Sequence, residues 1–148
     1  MTAGSENTAI GIISITEEEG RIVSVSMDTD ERHSDDTVLS AAFAQLNEYL
    51  SGRRKEFDLE YGPEGTDFQK DVWRALMRIP YGRTVSYSEL AEMSGHPGAQ
   101  RAVGNAVGRN PVPIFIPCHR VIRSDGDIGG FSLGVGLKKR LLELEGSV

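Results

Sequence analysis

The stretch FDLEYGPEGT, residues 57–66, constrains the fold of this 148-residue chain more than any other feature. Gly62, Pro63 and Gly65 together interrupt both helix and strand, so this is where a linker belongs. The segments on either side differ in charge. Residues 1–62 carry 13 Asp and Glu against 5 Lys and Arg, a net of −8, whereas residues 63–148 carry 9 against 11, a net of +2; together they make the overall −6. The spacing therefore predicts a small domain over 1–62 and a second over 63–148. A chain of this length with 39% hydrophobic residues can supply one respectable core or two small ones. The acidic first part reads as a solvated surface, and only the second part can be argued toward a polyanion.

Within the first part, AIGIISI (9–15) and IVSVSM (22–27) are β-branched and partly alternating. The polar EEEGR between them predicts a hairpin. From Asp36, the residues Val38, Leu39, Ala42, Phe43, Leu46, Tyr49 and Leu50 recur at helical spacing, with Gly52 as a C-cap. The expected unit is strand-strand-helix.

The second part opens on a helix from about Asp67 to Arg78, with Phe68, Val72, Trp73, Leu76 and Met77 on one apolar stripe. IPYG breaks the chain. A short helix, SYSELAEM, then precedes the turn SGHPG and a further helix, AQRAVGNAVG. Two short helices across a tight turn fit a helix-turn-helix, although αα-hairpins share the pattern in proteins that never touch DNA. PVPIFIPC reads as a short strand bracketed by prolines, and 137–145 as a closing helix. The fold class expected is α+β: a small strand-strand-helix domain, then a mostly helical, winged-helix-like domain with a helix-turn-helix.

The first twenty residues contain neither a basic n-region nor a long apolar run, so no signal peptide or membrane span is expected and the protein is placed in the cytoplasm. Cys118 is the lone cysteine, and His33, His96 and His119 are scattered. An internal disulfide is excluded, a zinc site is poorly supported, and a free thiol remains, inert or reactive. In I-P-C-H-R-V, Pro117 stiffens the segment that presents the thiol. The adjacent His119 is an imidazole able to take its proton, directly or through a water. That histidine needs an orienting acceptor, for which Glu143 and Glu145 are the candidates. Taken alone, a neighbouring cysteine and histidine are more often coincidence than catalysis.

The series GTDFQKDVW, IPYGRTVSYSELA, RAVGNAV, NPVPIFIPCHRVI and LLELEG resembles the O6-alkylguanine-DNA alkyltransferase (methylated-DNA–protein-cysteine methyltransferase) family, in the family's order and over about residues 65–146. Residues 1–62 resemble its variable N-terminal domain only in the order of elements. The resemblance implies DNA repair by direct reversal. An alkyl group, mainly methyl, moves irreversibly from O6-alkylguanine in double-stranded DNA to Cys118, with O4-alkylthymine left open as a second substrate. It further implies His119 as the base acting through a water, Glu145 as the acid orienting it, Tyr87 as proton donor to the flipped guanine, and Asn110 as a hinge. Arg101 would be the finger inserted into the duplex, on a helix whose Ala99, Gln100, Ala102 and Gly104 lie against the minor groove. The implied protein is a monomer with cooperativity on DNA left open, and it needs no diffusible cofactor and no metal.

The loop GGFSLG, 129–134, departs from the family's G-Y-x-G-G run. Phe131, Ser132 and Leu133 are expected to wall the alkyl pocket, with Phe131 removing a hydroxyl and Leu133 narrowing the space against groups larger than methyl; the alternative for Leu133 is that it points away into the core or into solvent. The rival reading is a non-catalytic alkyltransferase-like protein that binds the lesion. Such relatives lack the acceptor cysteine, which is present here. A helix-turn-helix regulator would give no reason for Cys118, and a cysteine hydrolase would turn over where this chemistry stops.

Overall fold

The structure is a computed structural model, and it describes residues 1–147. The chain divides into two compact units, Met1–Pro63 and Glu64–Val148.

The first unit is a three-stranded antiparallel meander, β1 (Thr2–Thr8), β2 (Gly11–Glu18) and β3 (Arg21–Met27), followed by helix α1 (Thr37–Leu50). The hairpin between β2 and β3 turns on Glu19 and Gly20, both at positive φ (52° and 82°), as a tight two-residue connection requires. Ile13 and Ile15 of β2 are fully buried, as are Ala42, Leu46 and Tyr49 of α1. Asp36 caps α1 by accepting from the Leu39 N–H at 3.0 Å.

Two strands were expected here and the structure has three. The sequence of β1, TAGSENT, carries no large apolar residue and gives no periodic signal. Its buried residues are Gly4 and Ser5. A Cβ on Gly4 would lie 3.4 Å from the Leu39 side chain, so the helix rests where only small residues fit. The Ser5 hydroxyl donates to Asp28 at 3.0 Å, and its backbone exchanges hydrogen bonds with Arg32. Backbone pairing and close approach, rather than hydrophobicity, hold this strand. The linker region also contributes, since Ile22 N–H donates to Glu60 O and Gly62 N–H to Ile22 O, each at 2.9 Å.

The second unit holds α2 (Asp67–Leu76), β4 (Val85–Ser86), α3 (Tyr87–Met93), α4 (Gln100–Gly108), a 3-10 turn (Cys118–Arg120), β5 (Val121–Ile122) and α5 (Val135–Leu144). Capping boxes, Thr66 with Gln69 and Ser86 with Glu89, start α2 and α3. The core joins Val72, Trp73 and Leu76 with Leu90, Val103, Val112, Leu141 and Leu142. The Trp73 indole N–H donates to the Ala106 carbonyl at 2.8 Å, fixing α2 to α4. β4 and β5 pair in parallel, which brings the start of α3 beside the end of the 3-10 turn. No helix among the described residues is long and apolar enough to cross a membrane.

Two expectations change in this unit. Met77 is the C-cap of α2 and 46% exposed, so it leaves the apolar stripe. PVPIFIP forms no strand; Val112 to Pro117 is a fully buried bend in which Ile114 takes φ 75°. Burial on all sides explains its continuous apolar composition, which a short buried strand would share.

Trp73→Phe should take the indole donor from the buried Ala106 carbonyl, leaving it only the Arg109 N–H at 3.2 Å, and should open a small void. We expect a loss of about 2–3 kcal/mol in stability, read by denaturant unfolding; an unchanged midpoint would show that the indole bond does not hold α2 to α4.

Candidate active site

Cys118 opens the 3-10 turn at the end of the buried bend. Pro117, at φ −79° and ψ 65°, forms an inverse γ-turn in which the Cys118 N–H donates to Ile116 O at 2.7 Å. Asn110, directly after α4 and its C-cap, straps the same bend. Its Nδ2 donates to Ile116 O at 2.9 Å, while its Oδ1 accepts from Val112 N–H at 3.0 Å. The end of α4 and the cysteine segment are thereby one hydrogen-bonded piece, a rigid support for a left-handed Ile114 that costs conformational energy.

His119 is fully buried, and its Nε2 lies 2.7 Å from Glu145 Oε2. Of the two acidic candidates in the last helix, Glu143 is exposed and Glu145 is the partner. Glu145 is also gripped by Arg120, whose Nε donates to Oε1 at 2.9 Å and Nη2 to Oε2 at 3.0 Å. The remaining arm, Arg120 Nη1, donates to Ile79 O at 2.7 Å. Gly82 N–H reaches Glu145 Oε1 at 3.3 Å. Gly82 sits at φ +81°, and a Cβ there would come within 3.2 Å of the Glu145 carbonyl, which accounts for the glycine in IPYG.

With Nε2–H donated to the carboxylate, the neutral ring carries its lone pair on Nδ1. Burial pushes the His119 pKa down, and the Glu145 hydrogen bond pulls only partly against it, so the ring is a neutral base at pH 7. Burial pushes the Cys118 thiol up to about 11, with Asn110 and Lys138 acting in the opposite direction. The resting sulfur is therefore a protonated thiol, followed in the chain by a neutral imidazole.

Cys118 lies on a cavity of about 320 Å³ shared with Tyr87, Gly104, Val107, Gly130, Phe131 and Ser132. Burial raises the Tyr87 phenol above its ordinary range, so it keeps its proton. Phe131 meets His119 edge to face, with ring centroids 6.4 Å apart. Leu133 is a correction. It is half-buried and does not line the cavity, because Gly134 N–H donates to Phe131 O at 3.0 Å and closes a turn with Ser132 and Leu133 at its corners. Among the described residues no cluster of three His, Cys, Asp or Glu side chains is placed to hold a metal ion.

Residues 67–147 match the family described as 6-O-methylguanine DNA methyltransferase, DNA binding domain, and residues 1–61 match the same family's ribonuclease-like domain. The chain belongs to this methyltransferase family. It is 52% identical over 113 residues to the methylated-DNA–protein-cysteine methyltransferase of Mycobacterium tuberculosis, covering 76% of this chain and 68% of that one. The protein of the same description from Methanosarcina barkeri is 56% identical over 104 residues, 70% of this chain and 66% of that one. Among solved structures, Mycobacterium tuberculosis OGT in complex with DNA aligns with a TM-score of 0.89 at 42% identity, over 98% of this chain and 92% of that one.

In this member of the family, Gln100, Arg101 and Ala102 are exposed in the first turn of α4, Ala99 is half-buried at its N-cap, and Gly104 faces the cavity. The helix thus carries an open polar end and a wall of the pocket at once. Two residues escaped the sequence reading. Arg120 stands within P-C-H-R-V but carried no assigned role. Lys138 is fully buried on α5, with Nζ donating to Val121 O at 2.6 Å and Gly130 O at 3.1 Å, and burial lowers its pKa to about 8. The signal was available, since 138, 141, 142 and 145 form the buried i, i+3, i+4, i+7 face of α5 and two of them are ionisable.

The paired shifts set an expected pH dependence. Acid converts the neutral His119 to imidazolium, so alkyl uptake by Cys118 should fall as pH drops through a value below 6.5. Between 6.5 and 8 the rate should stay flat, because the thiol at about 11 is not yet ionising. Single-turnover rates against pH check this, and an acid limb centred above 7 would contradict it.

Proposed function

We propose that this protein is a methylated-DNA–protein-cysteine methyltransferase that repairs O6-alkylguanine in double-stranded DNA by taking the alkyl group, mainly methyl, onto Cys118. The observation that carries the reading is the convergence of Cys118 and Tyr87 on one small cavity, with the buried His119–Glu145 pair starting at the residue that follows the cysteine. His119 accepts the thiol proton through a bridging water. The thiolate attacks the alkyl carbon, the carbon–O6 bond breaks, and its electron pair goes to the guanine. Tyr87 donates its phenolic proton to the departing base and recovers one from the imidazolium through solvent, so the guanine gains in net the proton the thiol lost. A thioether has no carbonyl for water to attack, so the group stays and the protein is consumed.

The lesion cannot meet a buried sulfur while stacked in a duplex, so the nucleotide is flipped into the cavity. Exposed Arg101 fills the gap it leaves, with Ala99, Gln100, Ala102 and Gly104 allowing α4 to approach the minor groove. Asn110 keeps α4 and the cysteine bend in register. A reactive free thiol suits the reducing cytoplasm. The non-catalytic lesion-binding alternative is disfavoured by the presence of Cys118 with its base and orienting acid.

Intact-mass measurement after incubation with an O6-methylguanine duplex should show one added methyl on the wild-type chain and none on Cys118→Ala. Excess duplex should add no further turnover. Repair of more duplex than protein would sink the single-use reading. Arg101→Ala should slow repair of duplex by about tenfold or more relative to free O6-methylguanine base, since only the duplex requires flipping. Equal slowing on both substrates would contradict the finger role.

A further inference from the structure

A second cavity, of about 580 Å³, shares Tyr87 with the first and is lined by Tyr87, Ser88, Gln100, Arg123, Ser124 and Asp125. We propose that it seats a backbone phosphate of the DNA strand carrying the flipped nucleotide, with the Arg123 guanidinium as its cation. The inference rests on the DNA-repair reading above.

Tyr87 lines both cavities, so a nucleotide with its base in the first has an adjoining opening for its sugar-phosphate chain. The second cavity has the chemistry of an anion site. Arg123 presents a planar fork of donors, the geometry that matches phosphate oxygens, and Ser88, Ser124 and Gln100 add side-chain donors. The guanidinium is near enough to Tyr87 to oppose the upward push of burial on that phenol. Among the described residues no carboxylate forms an ion pair with it.

The one acid in the lining, Asp125, is turned to its own loop, with Oδ1 accepting from Asp127 N–H at 2.9 Å. Asp127 in turn accepts from Gly129 N–H at 2.9 Å. The loop is closed at its base, since Arg123 N–H donates to Asp127 O at 2.8 Å and Gly126 N–H to Arg123 O at 3.0 Å. Arg123 thus stands at a fixed point directly after β5, one strand away from the cysteine turn. An exposed guanidinium carried on that fixed backbone does more than attract DNA, because it sets which phosphate stops there and hence which nucleotide faces Cys118.

The test uses the full chain, a duplex with one central O6-methylguanine, and the same duplex with a single neutral methylphosphonate at successive positions around the lesion. Arg123→Gln should bind about tenfold more weakly. Its plot of log affinity against log salt should be shallower by about 0.9, the loss of one phosphate contact. Arg123→Lys should restore the slope. One methylphosphonate position should weaken the wild type and leave Arg123→Gln little changed. An unaltered salt slope in Arg123→Gln, or methylphosphonates that cost both proteins equally at every position, would overturn the subsite. Failure of the wild type to gain a methyl group, read by mass on the same samples, would instead overturn the underlying repair function.

Discussion

The site depends on one buried carboxylate. Glu145 brings a negative charge into the second unit, where its side chain has no exposure, and such a charge is tolerated only when paired and fully hydrogen-bonded. Arg120 meets it with a two-pronged contact, His119 takes one oxygen, and a backbone N–H from Gly82 takes the other. The C-terminal end of α5, the cysteine turn and the IPYG break are therefore tied at one point. Arg120 is less a reactant than the counter-charge that lets Glu145 orient the imidazole. His119 and Arg120 are adjacent in the chain because both must reach the same carboxylate.

That arrangement decides how the sulfur can react. A common way to activate a cysteine is to lower its pKa with nearby positive charge and exposure. Here burial wins and raises the thiol to about 11, despite help from Asn110 and Lys138. In the proposed reaction the reactive state is then made on demand, by His119 as a base whose own pKa burial keeps low. A thiolate formed at the moment of attack suits a protein that is used once, since a standing thiolate would react with stray electrophiles before meeting its substrate.

The sequence was most informative where chemistry demands particular residues in particular order. Cys118 and His119 could be singled out from adjacency and from Pro117. The choice of Glu145 over Glu143 needed the family pattern or the structure, because both lie near the end of the same helix and only its rotation separates them. Helices α1 to α5 were legible from apolar spacing and turn residues. What stayed hidden was built from contacts that hydrophobicity does not report. β1 is held by backbone pairing and by the smallness of Gly4 and Ser5 beneath α1. The bend at 112–117 is apolar because it is enclosed on all sides, and the same letters describe a strand. Leu133 was expected on the pocket wall from its place in a motif, yet a turn closed by Gly134 carries it off.

Lys138 shows what holds the loop over the pocket. A lysine in a closing helix reads as solvated, and here it is the post to which that loop is fastened. Its ammonium joins the carbonyl of Val121, three residues after the cysteine, to the carbonyl of Gly130 beside Phe131. The wall and the nucleophile are thus referenced to a single buried group rather than to each other. Burial pulls the pKa of this group to about 8, so near neutral pH the ammonium form still prevails and both carbonyls keep a donor. One wall of the cavity, at Gly130, is therefore fastened to the same cation that holds the segment after the cysteine. Phe131, which lacks a hydroxyl, can keep its place against the His119 ring with no hydrogen bond of its own.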